Sequence, residues 1–510
     1  MLAKVITSTI VGLRALPVEA QIAIRPGKPL FTLVGMADCA VKESRERILS
    51  ALRHLAISVD KQVLVNLAPA EIRKEGSSFD LPVAIGLLAA LKHVPRASLA
   101  SRSFHGELAL DGELHRIRGA ASMAITAMEQ GASEIILPHE NVAEVRLLRG
   151  IEPIGAHSLA EVIAYLRDGV RPPQLSLSYP QSGNGGSPLS LDQVIGQDRA
   201  KRALAIAAAG GHNILFIGPP GCGKSMLAQR YEELLPPIGE RELLDIVKVH
   251  SVSGLPVEDF LRGKRPFRAP HHSLSDAALV GGGMPVRPGE ISLAHGGVLF
   301  LDEFPEFRRT AIESLRTPLE EGKVLVSRAR SSAEFPARFQ LIAAMNPCPC
   351  GRLGISKDSC SCSHLALQGY LRKLSQPILD RIDLHLYLQA VPIQSILHPA
   401  VSSTPPSIPA KQLRERIGGA VAIQLERSGT LNGYLPSTDF LAENALNSKG
   451  RELLERAAGK LRISARGVMR VMRVARTIAD LEAAGSVDEH HIAEALGFRE
   501  LDRMMVFGGI

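Results

Sequence analysis

Short apolar runs alternate with amphipathic stretches along this chain, a pattern typical of proteins that combine strands and helices. In the first 170 residues some apolar positions recur with period two and others with helical spacing. Asp111 and Gly112 predict a tight turn between two strands. This region is expected to form an α/β or α+β domain. The predicted strands are Lys4–Ile10, Glu19–Ile24, Gln62–Asn66 and Glu107–Leu110, and the predicted helices are Val41–Leu52, Pro82–Leu91, Gly119–Glu129 and Leu159–Arg167.

The middle of the chain carries near-continuous apolar runs, which are typical of strands buried on both faces of a parallel sheet. The predicted buried strands are Asn213–Ile217, Gly297–Phe304 and Phe339–Met345. A helix is predicted over Thr310–Glu321, and a β-hairpin over Lys323–Gln340. The tip of this hairpin carries Arg328 and Arg330. A cationic tip of this kind can contact the DNA backbone without reading its sequence, so both arginines are DNA-binding candidates.

Two segments rich in proline and serine divide the chain. Residues 171–190 cannot hold a helix, and both they and residues 396–410 are expected to be linkers. They separate a first domain (1–170), a second (191–395) and a helical third (411–510). Within the third, a helix is predicted over Ser464–Ala484, with an apolar face and an arginine face. Beyond the first turn, the arginines of that second face fit a solvated surface and a DNA-binding stripe equally well. Its arginines are Arg466, Arg470, Arg473 and Arg476.

The stretch GPPGCGKS, from Gly218 to Ser225, fits the phosphate-loop pattern G-x-x-x-x-G-K-[ST]. Glycines let successive backbone N–H groups turn toward a phosphate, and a helix that begins at Lys224 directs its positive dipole end at the same anion. Lys224 can reach the β and γ phosphates, and Ser225 can bind Mg²⁺. A chance match on a glycine-rich turn is the alternative. The residues of the loop are Gly218, Pro219, Pro220, Gly221, Cys222, Gly223, Lys224 and Ser225.

Polar residues near the ends of the other predicted elements suit nucleotide hydrolysis. Asp302 and Glu303 end an apolar strand, where they would hold Mg²⁺ and polarise the attacking water. Asn346 at a strand end can orient that water, although a lone asparagine also suits a turn. Arg381 lies between acids, where it forms a local salt bridge or reaches the γ phosphate of a neighbouring subunit. Arg466 begins the last long helix, nearest any docked phosphate.

Composition narrows the class of protein. The net charge of +7 and pI of about 9.1 suit a polyanionic partner and equally fit a solvated surface. The most apolar stretch, Leu81–Leu91, ends at Lys92, well short of the roughly 20 residues that span a bilayer. The N-terminus lacks the apolar block of a secretory signal. We therefore expect a cytoplasmic protein with no membrane partner.

Four of the six cysteines form two close pairs directly after Asn346. Four thiols can bind Zn²⁺ tetrahedrally, although C-x-C spacing is tighter than the usual C-x₂₋₄-C. A loop of reduced thiols is the alternative, and a chain of this size needs no disulfide. The residues are Cys348, Cys350, Cys360 and Cys362.

The order of these motifs resembles AAA+ ATPases of the branch that includes magnesium chelatase and the MCM helicases. Residues 271–290 and the hairpin resemble that branch's two pore-lining insertions. The whole chain resembles the ComM (YifB) family of magnesium-chelatase-like proteins. The resemblance implies a homohexameric, ATP-driven DNA helicase that moves branch points during recombination, with ATP and Mg²⁺ as cofactors. It also implies that Asn346 senses the γ phosphate, that Arg381 acts in trans and that Arg466 is the sensor of a helical lid.

The N-terminal block resembles the proteolytic domain of the Lon family (ribosomal S5 domain 2-like), with Ser78 at the position of the nucleophile. The position of the catalytic lysine falls at Ala121, and the sequence has no lysine between Lys92 and Lys201. A serine without a base is a poor nucleophile, so we expect no peptidase activity. An ATP-dependent protease is therefore disfavoured. The motor of a magnesium chelatase stays open on the AAA+ core alone, but that motor normally lacks a Lon-like block.

Overall fold

The computed structural model describes residues 2–35, 39–74, 76–173, 190–328, 331–353, 360–391, 408–443, 446–461 and 463–501. The elements of the N-terminal region follow one another in this order: β1 (Leu2–Val11), β2 (Arg14–Arg25), β3 (Leu30–Val34), α1 (Cys39–His54), β4 (Gln62–Ala68), α2 (Asp80–Ala90), β5 (Arg102–Phe104), β6 (Glu107–Leu108), β7 (Leu114–His115), α3 (Ala120–Glu129), β8 (Glu134–Pro138), α4 (Val142–Val145), β9 (Glu152–Ala156) and α5 (Leu159–Asp168).

Seven of these strands form one mixed sheet in the order β3-β4-β2-β1-β5-β8-β9. The long strands β1 and β2 pair antiparallel over their whole length, and they bury alternate side chains such as Val5, Val18 and Ile22 against α2 and α1. The predicted helices and the three longer predicted strands are confirmed. The strand predicted over Glu107–Leu110 is wrong beyond Leu108, because the chain there turns back into β7.

The middle region contains a five-stranded parallel sheet in the order β11-β14-β17-β10-β18, so the predicted parallel core is confirmed. Its elements are α6 (Asp198–Gly210), β10 (Ile214–Ile217), α7 (Lys224–Arg230), α8 (Glu240–Ser253), α9 (Glu258–Leu261), β11 (Phe267–Arg268), α10 (Asp276–Val280), β12 (Gly281–Gly282), β13 (Arg287–Pro288), α11 (Glu290–Leu293), β14 (Val298–Leu301), α12 (Arg309–Ser314), α13 (Arg316–Glu321), β15 (Lys323–Arg328), β16 (Ser331–Pro336), β17 (Gln340–Met345), α14 (His364–Leu371), α15 (Gln376–Leu379) and β18 (Leu384–Tyr387).

The helix predicted over Thr310–Glu321 is two short helices, α12 and α13, which meet at Leu315. Pro318 explains the break, because a proline ring clashes with the carbonyl of the residue four positions earlier, here Ser314. The predicted hairpin is confirmed over β15 and β16, which pair from Lys323↔Pro336 to Arg328↔Ser331.

The C-terminal region is helical and packs on α6 through one continuous apolar cluster that also includes the outer face of the parallel sheet. The long predicted helix is confirmed as α19, where the Ser464 side chain caps the N-terminus by accepting a hydrogen bond from the backbone N–H of Gly467. The helices are α16 (Ala410–Ser428), α17 (Ser437–Glu443), α18 (Ser448–Leu461), α19 (Ala465–Leu481) and α20 (Glu489–Gly497).

A polar network joins the N-terminal region to α8. The Arg116 guanidinium donates to Glu144 at 2.8 Å and to the Leu255 carbonyl at 3.1 Å, and the Ser251 hydroxyl donates to the same Glu144 carboxylate. Burial raises the pKa of Glu144, while Ser251 and Arg116 oppose that rise. The N-terminal region therefore contacts the middle region through buried polar groups. Within the described ranges, no helix combines the length and apolar character needed to cross a membrane.

Candidate nucleotide-binding site

The glycine loop connects the carboxyl end of β10 to the first turn of α7, so its backbone N–H groups precede a helix N-terminus. Gly221 and Gly223 adopt φ values of +78° and +96°, and a Cβ atom at either would meet nothing within 4 Å beyond its chain neighbours. Gly218 is packed more closely, since a Cβ atom added there would lie 2.6 Å from the Leu388 carbonyl oxygen. The loop is therefore an open cradle with one glycine fixed by packing.

Lys224 is buried, at 8% exposed, and its ammonium lies inside this loop. Its Nζ donates to the carbonyl oxygens of Gly218 at 2.7 Å and Pro219 at 2.9 Å, and to Asn346 Oδ1 at 3.2 Å. Burial lowers the pKa of Lys224, while Cys222 and Asp302 oppose the shift. The loop thus holds a positive charge where a phosphate would lie, and the end of β17 contacts it.

The Ser225 hydroxyl and the Asp302 carboxylate are hydrogen-bonded to each other near Lys224. Ser225 Oγ donates to Asp302 Oδ2 at 2.6 Å, and the backbone N–H of Glu303 donates to the other Asp302 oxygen at 2.9 Å. A hydroxyl and a carboxylate are the ligands that Mg²⁺ prefers. The open cradle, the buried ammonium and this oxygen pair together fit a magnesium-bound triphosphate.

Glu303 directly follows β14 and adopts a left-handed conformation, with φ of +51°. This backbone geometry is costly for a residue with a side chain and is concentrated at functional sites. The Glu303 carboxylate is 58% exposed, and His272 Nδ1 lies 3.1 Å from it. The turn thus directs the carboxylate out of the sheet, where it can contact a reacting water.

Asn346 follows β17, the neighbour of both β10 and β14. Its backbone carbonyl accepts a hydrogen bond from the Tyr370 hydroxyl at 3.2 Å, while its side chain accepts one from Lys224. The structure therefore brings together Lys224, Ser225, Asp302 and Asn346 at one edge of the parallel sheet, as the sequence predicts.

Arg381 and Arg466 lie at the opposite edge of that sheet. The backbone carbonyl of Arg381 accepts a hydrogen bond from Asn213, which precedes β10, whereas the loop follows β10. The four residues of β10 separate these edges by about 13 Å. Glu320 forms an ion pair with Arg381 and lies 3.7 Å from Arg466. The structure thus groups Arg466 with Arg381 and does not bring it to the loop of the same chain.

A cavity of about 550 Å³ opens at this edge, between the sheet and the N-terminus of α19. Arg381 lines it with a side chain that is 7% exposed, and the Arg381 Nε has no hydrogen-bond partner within the described residues. Its Nη1 donates to the Pro377 carbonyl. The local salt bridge considered for Arg381 is present, and one buried donor stays available.

The remaining arginines of α19 pair within the protein: Arg476 is buried, whereas Arg470 and Arg473 are partly buried and line the same cavity as Arg381. Both interpretations of the arginine face are therefore wrong for Arg476, and DNA binding by Arg470 and Arg473 stays a prediction. Arg470 donates to Asp383 at 2.7 Å, Arg473 donates to the Leu435 carbonyl at 2.7 Å, and Arg476 is 4% exposed and bonds Asp480. The apolar pattern of α19 could not reveal this, because the acids and carbonyls that pair with the arginines come mainly from other segments.

The hairpin of β15 and β16 buries Val324, Val326 and Phe335 against the core beneath the sheet. Arg328 is the last residue of β15, while Arg330 and the side chain of Arg328 lie outside the described part of the chain. A Cβ atom at Gly12 would lie 3.1 Å from Ala333 Cβ, so the hairpin also contacts the N-terminal region. DNA binding by its tip stays a prediction.

The four cysteines come together next to Asn346. Every pair of their sulfur atoms lies within 4.8 Å, with Cys348 buried and the other three partly exposed.

Ala121, at the position of the Lon lysine, is buried against Val247 and Val257 and provides no base at that position.

Two site residues have no signal in the sequence. His272 reaches Glu303 from a different segment, and the Gln197 side chain donates to the carbonyls of Cys222 at 3.1 Å and Gln389 at 2.8 Å. Gln197 thereby braces the loop from outside. Both contacts join segments that are distant in the chain, so no local pattern predicts them.

Three family models match the chain in succession. The model for subunit ChlI of Mg-chelatase matches residues 18–141, that for magnesium chelatase subunit ChlI matches residues 190–396, and that for the C-terminal part of ChlI matches residues 407–499. With the parallel sheet and the phosphate loop, these matches define a magnesium-chelatase-like AAA+ protein.

Full-length relatives narrow the class to one family. The competence protein ComM of Haemophilus influenzae is 41% identical over 99% of this chain and 98% of its own length. An uncharacterized protein YifB of Escherichia coli is 40% identical over 98% of this chain and 97% of its own length. The chain belongs to the ComM/YifB family. The magnesium-chelatase 67 kDa subunit of Chlorobaculum parvum is 27% identical and aligns with 31% of this chain and 23% of its own length.

Proposed function

We propose that this protein is an ATP-driven DNA translocase, a helicase that promotes branch migration during homologous recombination, as in the integration of transforming DNA. The observation that carries the proposal is the contact chain Ser225–Asp302 and Lys224–Asn346, which joins three strand ends around one open phosphate cradle. A relative named for competence supports the DNA part of the proposal.

The proposal divides the chain into five parts. Residues 1–170 are a Lon-like domain without peptidase activity, residues 191–395 an AAA+ core and residues 411–510 a helical lid, with linkers at 171–190 and 396–410. The match of separate family models to the three main parts supports this division. The protein is proposed to act in the cytoplasm.

In the proposed mechanism each side chain has one task. Magnesium-bound ATP supplies the terminal anhydride bond whose cleavage releases free energy. Lys224 and the loop N–H groups hold the phosphates, and Ser225 and Asp302 offer oxygens to the metal. Glu303 takes a proton from the attacking water, and the Asn346 amide orients that water.

Arg381 and Arg466 are proposed to act on a nucleotide held by the next subunit of a homohexameric ring. Their position at the edge of the sheet opposite the loop supports this, as does the unpaired Nε of Arg381 within the described residues. A guanidinium delivered from a neighbour stabilises the charge that spreads over the transferring phosphoryl oxygens.

DNA is proposed to pass through the centre of the ring, where the hairpin arginines Arg328 and Arg330 contact its phosphates. The basic pI of about 9.1 is consistent with a polyanionic partner. A motor for metal insertion into a porphyrin is the second candidate, because all three matching family models are ChlI models. The limited alignment with the chelatase subunit disfavours it.

Hydrolysis assays separate the candidates. We expect ATP turnover to rise with single-stranded or branched DNA and not with porphyrin or casein, and a labelled four-way junction to be resolved into forked products only with ATP. Lys224→Ala should abolish nucleotide binding, whereas Glu303→Gln should bind nucleotide and not hydrolyse it. Glu306→Gln is the matched control, since Glu306 lies in the turn that follows Glu303 and its exposed carboxylate pairs with Lys373. Stimulation by porphyrin alone would refute the proposal.

A further inference from the structure

The four cysteines after Asn346 have the geometry of an assembled metal site. Cys348 Sγ lies 3.4 Å from Cys350 Sγ, Cys350 Sγ lies 3.7 Å from Cys360 Sγ, and Cys360 Sγ lies 3.8 Å from Cys348 Sγ. A disulfide needs about 2.05 Å between its sulfurs, so these three contacts are not disulfides. Two C-x-C pairs, separated by nine residues in sequence, thus converge on one point.

These separations fit one metal ion held by four thiolates, an arrangement in which zinc is commonly bound. In a tetrahedron with Zn–S bonds of about 2.3 Å, each pair of sulfur atoms lies about 3.8 Å apart. Four thiols whose sulfur atoms lie within 4.8 Å of one another fill all four positions of that tetrahedron. Such a site leaves no open position for a water or substrate, which is the arrangement of structural zinc.

Backbone N–H groups also point at the sulfur atoms. The N–H of Leu353 donates to Cys348 Sγ at 3.3 Å. The N–H of Arg352 hydrogen-bonds the Cys350 sulfur. Hydrogen bonds of this kind favour the thiolate, the form that binds metal.

The cluster directly adjoins the phosphate loop. Gly351, between the two pairs, has φ of +75°, and a Cβ atom there would lie 3.0 Å from Pro220 Cδ and 4.0 Å from Asn346 Cγ. The Tyr387 hydroxyl holds the same segment by donating to the Leu353 carbonyl at 2.7 Å. Any ordering of the four thiols therefore orders both Asn346 and the outer wall of the loop.

We propose that Cys348, Cys350, Cys360 and Cys362 bind one structural Zn²⁺ ion, which fixes Asn346 against the phosphate loop. The cysteines are positioning residues, since they act through Asn346 and not on the nucleotide. The zinc site itself stands on the sulfur geometry alone. Its effect on hydrolysis rests on the function proposed above.

Metal analysis of the full-length protein, purified under reducing conditions with zinc present, tests the site. We expect about one zinc per chain, released when a mercurial reagent modifies the thiols and measured with a chromogenic chelator. Replacement by Co²⁺ should give the intense visible bands of a tetrahedral thiolate site. Cys350→Ser and Cys362→Ser should lose the metal, whereas Cys39→Ser, outside the cluster, should keep it. Thiols that react without zinc release, or two disulfides under these conditions, would overturn the proposal.

Hydrolysis measured on the same proteins tests the link to Asn346. We expect Cys362→Ser to lower kcat about tenfold, the size of effect typical of groups that orient a functional residue, with a smaller change in nucleotide Kd. Cys362→His, which keeps a zinc ligand, should restore both zinc and turnover. Circular dichroism establishes that the variants fold, and removal of zinc from the unmodified protein by a chelator gives a second measurement. Full turnover after complete zinc loss would refute the positioning role. A wild-type protein that binds zinc but hydrolyses no ATP would instead refute the proposed function.

Discussion

Replacing Arg381 with alanine is the most direct test of a nucleotide site shared by two subunits. The Arg381 side chain forms an ion pair with Glu320 and lies at the edge of the sheet remote from Lys224. If each ring subunit uses its neighbour's guanidinium, Arg381→Ala should stop hydrolysis while nucleotide binding to Lys224 of the same chain stays intact.

The structure separates the effect on catalysis from the effect on stability. Glu320 is 43% exposed and keeps Arg466 at 3.7 Å, so it is not left as a buried unpaired charge, but the Arg381 side chain is itself buried and donates to the Pro377 carbonyl. Its loss should therefore reduce the free energy of unfolding by about 2 kcal/mol. An arginine that stabilises a transferring phosphoryl group contributes about 1,000-fold or more to kcat. That factor corresponds to about 4 kcal/mol of the activation free energy. Turnover should therefore collapse in a protein that remains folded.

Mixing two inactive variants gives the decisive assay. Arg381→Ala subunits keep Glu303, and Glu303→Gln subunits keep Arg381, so a mixed ring regains complete sites where the two meet in the right order. In a random one-to-one mixture, roughly a quarter of the interfaces are complete. We expect ATP turnover to recover toward that fraction, measured alongside binding of a fluorescent nucleotide and thermal unfolding.

The control is Arg338→Ala, which removes the same charge from an exposed residue lining the same cavity. Its turnover should stay within about twofold of the unmodified protein. Normal hydrolysis by Arg381→Ala would show that the arginine has only a structural role. Absence of recovery in mixtures that form rings would contradict a site completed in trans.

Three further predictions concern residues around the site. Burial alone would raise the pKa of Asp383, but the Arg470 guanidinium holds that pKa well below its usual value. The stabilisation by ionised Asp383 is therefore present above about pH 3.9 and is lost as the pH falls below that value. Asp383→Asn should reduce the free energy of unfolding by about 3 kcal/mol at pH 7 and flatten its fall at acid pH, both measured by urea titration. Gly218→Ala should impair nucleotide binding by displacing the loop, measured as a Kd increase of about tenfold or more; an unchanged Kd would refute the packing argument. His272→Ala should raise DNA-independent turnover several-fold by releasing the Glu303 carboxylate, and a fall would show that His272 orients it for catalysis.

The candidate phosphate site was predictable because its residues follow strands of one parallel sheet. Lys224, Asp302 and Asn346 each follow an apolar run in sequence, and the carboxyl ends of parallel strands meet at one edge. Local pattern plus this topological rule therefore brings together residues that are far apart in the chain. The same reasoning predicts the cysteine cluster only as a spacing, since the convergence of its two pairs depends on the fold.

The sequence does not predict which helix or strand a long side chain contacts. The arginines of α19 look alike in sequence, yet Arg470 pairs with an acid before β18, Arg476 is buried and Arg466 faces an exposed cavity. Helical periodicity assigns a residue to a face but does not say what covers that face. The break at Leu315 has a local cause instead, because the Pro318 ring clashes with the Ser314 carbonyl.

The two halves of the proposed site are joined within each chain by a short, rigid path. Asn213 at the amino end of β10 donates from its side chain to the Arg381 carbonyl at 3.0 Å, and its side-chain oxygen accepts from the backbone N–H of Leu341 in β17 at 2.8 Å. At the carboxyl end of the same strand the chain enters the loop at Gly218. A shift of the loop on release of the γ phosphate would therefore pass along four paired residues to Arg381, the arginine proposed to act on the next nucleotide. We infer that hydrolysis at successive sites is coupled, and that Asn213→Ala should weaken this coupling, measured as a loss of cooperativity in ATP turnover, while each isolated site keeps its affinity for nucleotide.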